Sequence, residues 1–286
     1  MNQAKQRFAE LQPALVAGFG GYPSFPALMA ARARKIPIVI HEQNSVLGRV
    51  NRAMATSAAI VACGFERLDR LPAAAHARKR VVGNPVRAPI VAVRQRLYPA
   101  APAGGRLNLL IIGGSQGARL FGDVIPAAIA LLPEELRVRL DVVHQVREEQ
   151  IEAARQTYAA ASVKAEVAPF FADMAERLAA AHLVIARAGA SSVTELQVTG
   201  RPAILIPFAA AADDHQTANA AGLTSVCAAD VIAEAAFEPV SLAALLELRL
   251  SDAHGLSVRA AAARASAKPD AAKALADLAE AVALEK

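Results

Sequence analysis

Residues 183–216 read LVIARAGASSVTELQVTGRPAILIPFAAAADDHQ, and how this stretch is parsed decides the fold. Leu183-Val184-Ile185-Ala186 is a short, wholly apolar run, the pattern of a parallel strand covered on both faces. Arg187-Ala188-Gly189-Ala190 breaks it. Ser191 and Ser192 then offer N-cap oxygens for a helix carrying Val193, Leu196 and Val198, and Glu195 falls where a capping box places its acid. Gly200-Arg201-Pro202 ends the helix, and Ala203-Ile204-Leu205-Ile206 is the next strand. In an open parallel sheet, the loops of such a unit leave the carboxyl ends of the strands, where ligands bind. Small residues ahead of a helix let backbone N–H groups approach an anion. Glu195, at the same place, suits a sugar or ribose hydroxyl. The same residues equally suit an ordinary capped helix.

The alternation of strand and helix continues in both directions. Toward the N-terminus, residues 3–11 read as a helix, 14–17 as a strand, 18–24 as a glycine loop and 25–34 as a helix. The strand at 36–40 runs directly into His41-Glu42-Gln43-Asn44. A helix over about 46–55 leads to a strand at 60–62, and VVGNPVR (81–87) closes this half. Residues 88–106 carry Pro89, Pro99, Pro102, Gly104 and Gly105 and read as a linker. A second half begins at Leu107, with strands at 109–112, 140–144 and 165–168 and a helix at 148–160. Pro269 opens a last helix with Leu275, Leu278 and Val282 on one face. The pattern predicts an α/β chain of two doubly wound, Rossmann-like parallel sheets.

Composition narrows the function classes. The 286 residues are 55% hydrophobic, so the chain buries a core and is not a disordered segment. The longest apolar runs fall short of the roughly 18 residues a spanning helix needs. The N-terminus MNQAKQRFAELQP is a polar amphipathic helix rather than a leader. Cys63 and Cys227, both in apolar surroundings, read as buried free thiols of a reducing compartment. A net charge of +5 suits anionic small molecules or an anionic membrane surface. With 4% aromatics and no Trp there is no stacking platform for nucleic acid, and none is expected as a partner.

The candidate site motifs lie at strand ends. Gly113-Gly114-Ser115-Gln116-Gly117-Ala118 follows an apolar strand and opens a helix, a geometry that aims N–H groups at phosphate. It is neither a Walker loop nor G-x-G-x-x-G, and a plain strand–helix turn stays open. In the loop at 18–24, Tyr22 and Ser24 suit phosphate oxygens, or the loop is a structural turn. His41-Glu42-Gln43-Asn44 at the end of a buried strand is hard to justify by packing. Adjacent His and Glu point to opposite strand faces, so a polar ligand site, Asn44 above all, fits better than a metal. Arg87 suits a diphosphate or a surface ion pair. Asp213-Asp214 read as helix-start carboxylates and Gln216 as a hydroxyl reader. His144 reads as structural. No metal site and no cofactor are expected.

Taken in order, GFGGYPSFP (18–26), IPIVIHEQN (36–44), VVGNPVR (81–87), LLIIGGSQGAR (109–119), VAPFFADM (167–174), ARAGASSVTE (186–195) and DDHQTANA (213–220) resemble the MurG family of GT-B glycosyltransferases across nearly the whole chain. The resemblance implies two Rossmann-like domains facing a cleft: 1–88 with the C-terminal helix 270–286, and a UDP-sugar domain at 107–269. It implies transfer of N-acetylglucosamine from UDP-N-acetylglucosamine to undecaprenyl-linked lipid I, giving lipid II and UDP for peptidoglycan and cell-wall synthesis. The location implied is the cytoplasmic face of the bacterial plasma membrane, by peripheral contact with anionic lipid. By the same resemblance, Ser115 and Arg87 lie at the donor phosphates and Phe171 at the uracil. Ala190, Ser191, Ser192, Val193, Thr194 and Glu195 form the donor helix start, with Glu195 on the ribose. Gln216 meets sugar hydroxyls, Asn44 faces the cleft, and Gly20, Gly21 and Tyr22 form the acceptor diphosphate loop. Two positions depart from the family. His144-Gln145-Val146-Arg147 replaces HQTG. The family's opening strand and GGTGGH loop, with its candidate base histidine, precede the first block found here. The resemblance thus implies a shortened N-terminal domain whose strands at 14–17 and 36–40 lack neighbours. It leaves His41 as the first base candidate. The alternatives are an inactive UDP-sugar-binding remnant and another UDP-sugar glycosyltransferase acting on a lipid.

Overall fold

A computed structural model describes residues 2–99, 104–114 and 118–285. The chain forms two compact units, residues 1–86 with 268–286, and residues 87–267.

In the first unit, β1 (Val16–Gly18), β2 (Ile38–Glu42), β3 (Ile60–Cys63) and β4 (Lys79–Val81) form one parallel sheet in that order. β2 is buried at every position. Ile38 and Ile40 pack with Leu28, Leu47, Met54 and Val61, as the apolar pattern requires of a strand covered on both faces. The expectation that the strand at 36–40 lacks a neighbour is corrected: β2 pairs with β1 on one side and β3 on the other. Among the described residues β1 pairs with β2 alone. The helix Ala271–Leu284 belongs to this unit. Gly83, at φ 91°, lets the chain before it pass; a Cβ there would lie 2.7 Å from Lys268 Cβ and 3.0 Å from Ala271 Cβ. Cys63 is buried, and burial pushes its thiol up to about 11. Cys227 is exposed, contrary to its apolar sequence neighbourhood.

In the second unit, β5 (Leu107–Ile112), β6 (Leu140–Gln145), β7 (Lys164–Ala168), β8 (Leu183–Ala186), β9 (Ala203–Leu205) and β10 (Ala229–Val231) are all parallel, in the order β10-β9-β8-β5-β6-β7. The chain builds outward from β5 to β7, then returns to the other side of β5 and builds outward again. β5 and β8 therefore flank the switch point, outside whose carboxyl ends such sheets bind ligands. Leu109, Ile111, Ile185 and Ile204 on the strands pack with Phe121, Ile125, Leu242 and Leu246 from the helices Arg119–Ala130 and Pro239–Leu250. At the start of the stretch 88–106, read as linker, Ala88–Val93 is helical and buries Ile90 and Val93. Arg94 then donates to Val198 O (2.9 Å) and Arg264 O (3.0 Å), which ties this segment to the second unit. Among the described residues no helix is long and apolar enough to cross a membrane.

Candidate functional site

At the switch point, β8 ends at Ala186 and the helix Ala190–Thr199 begins four residues later. Its N-cap is Gly189, and no side chain caps it. The expected Ser191 and Ser192 caps are thus corrected: both lie inside the first turn, Ser191 exposed and Ser192 half-buried. The physical reason is that Gly189 itself takes the extended N-cap conformation, φ −64° and ψ 146°, two residues before Ser191. The first-turn N–H groups of a helix have no partner within it, so this uncapped start is a set of donors backed by the positive end of the helix dipole. A Cβ built on Gly189 would meet nothing within 4 Å, so the space beside this backbone is open.

Glu195 lies one turn further in. Its carboxylate is not a capping-box acid but accepts from Arg87 Nη2 at 3.2 Å. The partners differ in exposure: the Arg87 side chain is 69% exposed, Glu195 only 17%. Burial raises the Glu195 pKa, and Arg87 offsets this only in part. The pair thus joins a largely sheltered carboxylate to a solvent-exposed guanidinium. The other residues of this turn are committed inward. Val193 is fully buried, and Thr194 donates from Oγ1 to Ala190 O at 2.8 Å. Ala190 is half-buried beside the open helix start.

Around this centre, Gln216 lies in the first turn of the helix His215–Thr224 that follows β9, and its Oε1 accepts from Phe208 N at 2.9 Å. Its amide Nε2 is thereby the group left to meet a ligand, as a donor. Asp214 is the N-cap of the helix His215–Thr224 and accepts from Thr217 Oγ1 at 2.7 Å. Asp213 and Asp214 both take positive φ. Phe171 follows β7, the far edge strand, and its ring is buried with the Arg177 guanidinium 4.1 Å from its centroid. Ser115, Gln116 and Gly117 lie outside the described residues. The preceding Gly114 has φ 86° and open space where a Cβ would stand.

In the first unit the polar block proves to be an internal network. His41 and Glu42 are the last two residues of β2, 1% and 3% exposed. Glu42 Oε2 accepts from Gly48 N (2.9 Å) and Asn51 Nδ2 (2.8 Å), and Oε1 from Asn44 N (3.1 Å) and Asn44 Nδ2 (3.3 Å). One buried carboxylate thus shapes the turn after β2, and the Asn44 amide is spent on it. His41 Nε2–H donates to Gly83 O at 2.9 Å, which fixes the neutral tautomer with Nδ1 unprotonated. Burial lowers its pKa, against the opposing pull of Gly83 O and Glu42. A base needs an accessible lone pair, and His41 presents almost no surface to solvent. Gly20 and Gly21 have φ 79° and 76°, which only glycine takes without strain, and Tyr22 beside them is 72% exposed. Gln43 Nε2 donates to Phe19 O at 3.1 Å and ties this glycine loop to the turn after β2.

Similarity to known proteins gives the family. The Glycosyltransferase family 28 C-terminal domain profile matches residues 108–275, and the family 28 N-terminal domain profile matches residues 1–63. A protein of Maricaulis maris, named "UDP-N-acetylglucosamine--N-acetylmuramyl-(pentapeptide) pyrophosphoryl-undecaprenol N-acetylglucosamine transferase", is 55% identical over 96% of this chain and 74% of its own length. A protein of the same name from Rhodospirillum centenum is 50% identical over 96% of this chain and 73% of its own. The crystal structure of Acinetobacter baumannii MurG superposes with a TM-score of 0.82 at 35% identity, over 97% of this chain and 77% of that one.

This chain belongs to the MurG family.

With the MurG family in place, two residues that the sequence did not single out for function stand out at the switch point. Arg187, one residue past β8, is nearly buried, and Glu234, just past β10, pairs with it at 2.6 Å. Arg187 appears in the sequence only as the residue that breaks the strand. Glu234 lies in a segment with no motif, so nothing in the order of residues links the two.

Proposed function

We propose that this MurG-family chain transfers N-acetylglucosamine from UDP-N-acetylglucosamine to the muramoyl sugar of undecaprenyl-diphosphate-linked lipid I, releasing UDP and forming lipid II. The observation that carries the proposal is the uncapped helix start at Gly189–Ala190, with Glu195 held by Arg87 at the sheet's switch point. In this reading Glu195 accepts the ribose hydroxyls, and Arg87 swings off it onto the diphosphate, where its planar fork suits two phosphate oxygens. The N–H groups of Ala190, Ser191 and Ser192 lie against the same anion, with Val193 and Thr194 holding the turn in place from inside. Ser115, by the family resemblance, serves the donor phosphates. Phe171 sets the backbone that meets the uracil, and Gln216 donates to a sugar oxygen. In the first unit, Gly20, Gly21 and Tyr22 serve the acceptor's diphosphate, and Asn44 shapes the adjoining turn.

The chemistry is inverting displacement at the anomeric carbon through an oxocarbenium-like transition state. The site's contribution is to stabilise the departing diphosphate with N–H groups, a helix N-terminus and Arg87. Peripheral contact with an anionic membrane at the cytoplasmic face follows from a lipid-borne acceptor and a net charge of +5. The test is turnover: the purified chain, UDP-[14C]N-acetylglucosamine and a lipid I analogue in detergent, followed by chromatography. The expected products are labelled β-linked disaccharide lipid and an equal amount of UDP. Binding of UDP-N-acetylglucosamine with no transfer to any lipid acceptor would reject the transferase reading.

A further inference from the structure

Arg187 occupies the junction of three elements that meet at the carboxyl ends of the strands. It leaves β8 directly ahead of the Gly189 helix start. Its guanidinium carbon lies 5.0 Å from the centroid of Phe121, in the first turn of the helix that follows the glycine turn, and 5.3 Å from Phe208 in the loop after β9. Nη1 donates to Ile206 O at 3.3 Å, the first residue past β9. Nη2 donates to Glu234 Oε1 at 2.6 Å. Glu234 completes the circuit: its Oε2 accepts from Ala209 N at 2.8 Å. Burial alone would raise the Glu234 pKa, but the Ala209 N–H and Arg187 outweigh it, and the net shift is downward. One ion pair therefore grips residues 206–209 from both sides. The Phe208 N–H that lies between those grips is the donor that orients Gln216.

We propose that Arg187 and Glu234 are positioning residues for the sugar end of the donor site: they fix the path of residues 206–209, and through Phe208 N they hold Gln216 with its Nε2 toward the ligand. The pair touches no ligand itself. Its charge is neutralised internally, its side chains are 11% and 21% exposed, and it spans β8 to the segment after β10. This rests on the donor reading above for what Gln216 meets. The loop geometry it fixes does not.

The consequence is selective. The nucleotide end of the site depends on Glu195, Arg87 and the helix start, none of which this pair holds by hydrogen bond. The sugar end depends on Gln216. Glu234→Gln keeps the shape and an oxygen for Ala209 N–H but loses the charge that holds Arg187. Arg187→Lys keeps a charge but loses the planar fork that serves Glu234 and Ile206 O together.

The experiment has two arms on the full chain. Calorimetry with UDP and with UDP-N-acetylglucosamine should show, for both variants, a UDP affinity within about twofold of the parent and a sugar-nucleotide affinity lowered by about tenfold, the scale of one lost hydrogen bond. Hydrogen exchange on the unliganded chain should show faster exchange confined to the amides of Phe208, Ala209 and their neighbours. Equal weakening of both ligands, or of neither, would overturn the proposal. If the parent binds neither ligand, the donor reading fails, and the exchange arm alone decides: unchanged protection at residues 206–210 in both variants would overturn the positioning claim. Loss of protection throughout residues 107–267 in both variants would make the pair a general stabiliser and would also overturn it.

Discussion

Replacing Glu42 by alanine tests whether the polar block at the end of β2 is a structural network. Four donors converge on this carboxylate, and the two shortest contacts, from Asn51 Nδ2 at 2.8 Å and Gly48 N at 2.9 Å, are the least replaceable. A hydrogen bond to a charged group contributes about 1.5–3 kcal/mol, so these two alone set a floor of about 3 kcal/mol. The Asn44 contacts at 3.1 and 3.3 Å are longer, and Asn44 is only half-buried, so water can replace part of them. A loss of about 3 kcal/mol is a large share of the roughly 5–15 kcal/mol that holds a domain. Glu42→Gln should cost less, because one amide oxygen still accepts. Hydrogen exchange followed by mass spectrometry resolves the unit by peptides from residues 38–63. For amides that exchange through opening of the whole unit, Glu42→Ala should accelerate exchange by roughly a hundredfold. Peptides from residues 107–206 should be unaffected. An acceleration under about threefold, below 1 kcal/mol, would refute the network reading and return Glu42 to the list of ligand-binding groups.

Further outcomes are expected in the second unit. Arg201 is 1% exposed and donates to Leu178 O, Ala179 O and Gly200 O, and burial brings its pKa down to about 10. Arg201→Ala uncaps the helix Met174–Ala180; the loss of its two shorter charge-assisted hydrogen bonds should cost on the order of 3–6 kcal/mol, a Tm drop of roughly 6–24 °C by calorimetry; a drop below about 2 °C would contradict this. Glu195 has a raised folded pKa, so its contribution to stability is present below the ordinary carboxylate value and is lost as pH rises through the folded one. At pH 7 without ligand, Glu195→Gln should therefore melt no lower than the parent, and the advantage should vanish near pH 4; a lower Tm at pH 7 would mean that the Arg87 pair outweighs burial. Among the described residues no three His, Cys, Asp or Glu side chains cluster as metal ligands, and transfer or UDP binding should survive a chelator. A collapse that magnesium or manganese restores would contradict that expectation.

The fold was legible where periodicity and strand ends are local signals. Leu183–Ala186, a four-residue apolar run, is β8 to the residue, and Gly200 ends the following helix in the left-handed conformation at φ 65°. What stayed hidden depends on pairing across the chain. Ser191 and Ser192 looked like caps because their chemistry is right, but Gly189 takes the cap position through backbone shape alone. By sequence alone His41-Glu42-Gln43-Asn44 reads as a ligand site, because packing does not explain four consecutive polar residues. Their partners are Gly48, Asn51, Gly83 and Phe19, contributed by three other segments. Arg187 and Glu234 are 47 residues apart, and only the order β8-β9-β10 brings them together. The resemblance to a family implies that Glu195 and Arg87 serve one ligand; the structure shows the two side chains in contact at 3.2 Å.

The most direct test of the donor site is a two-by-two calorimetric cycle: parent chain and Glu195→Ala, each titrated with UDP and with UDP lacking the ribose hydroxyls. Glu195 is proposed to hold those hydroxyls, and a hydrogen bond to a charged group contributes about 1.5–3 kcal/mol. Glu195→Ala should then weaken UDP by roughly tenfold to a hundredfold while leaving the dideoxy ligand unchanged within about twofold. Equal loss for both ligands, or no loss for either, would contradict the placement of the donor's ribose at Glu195.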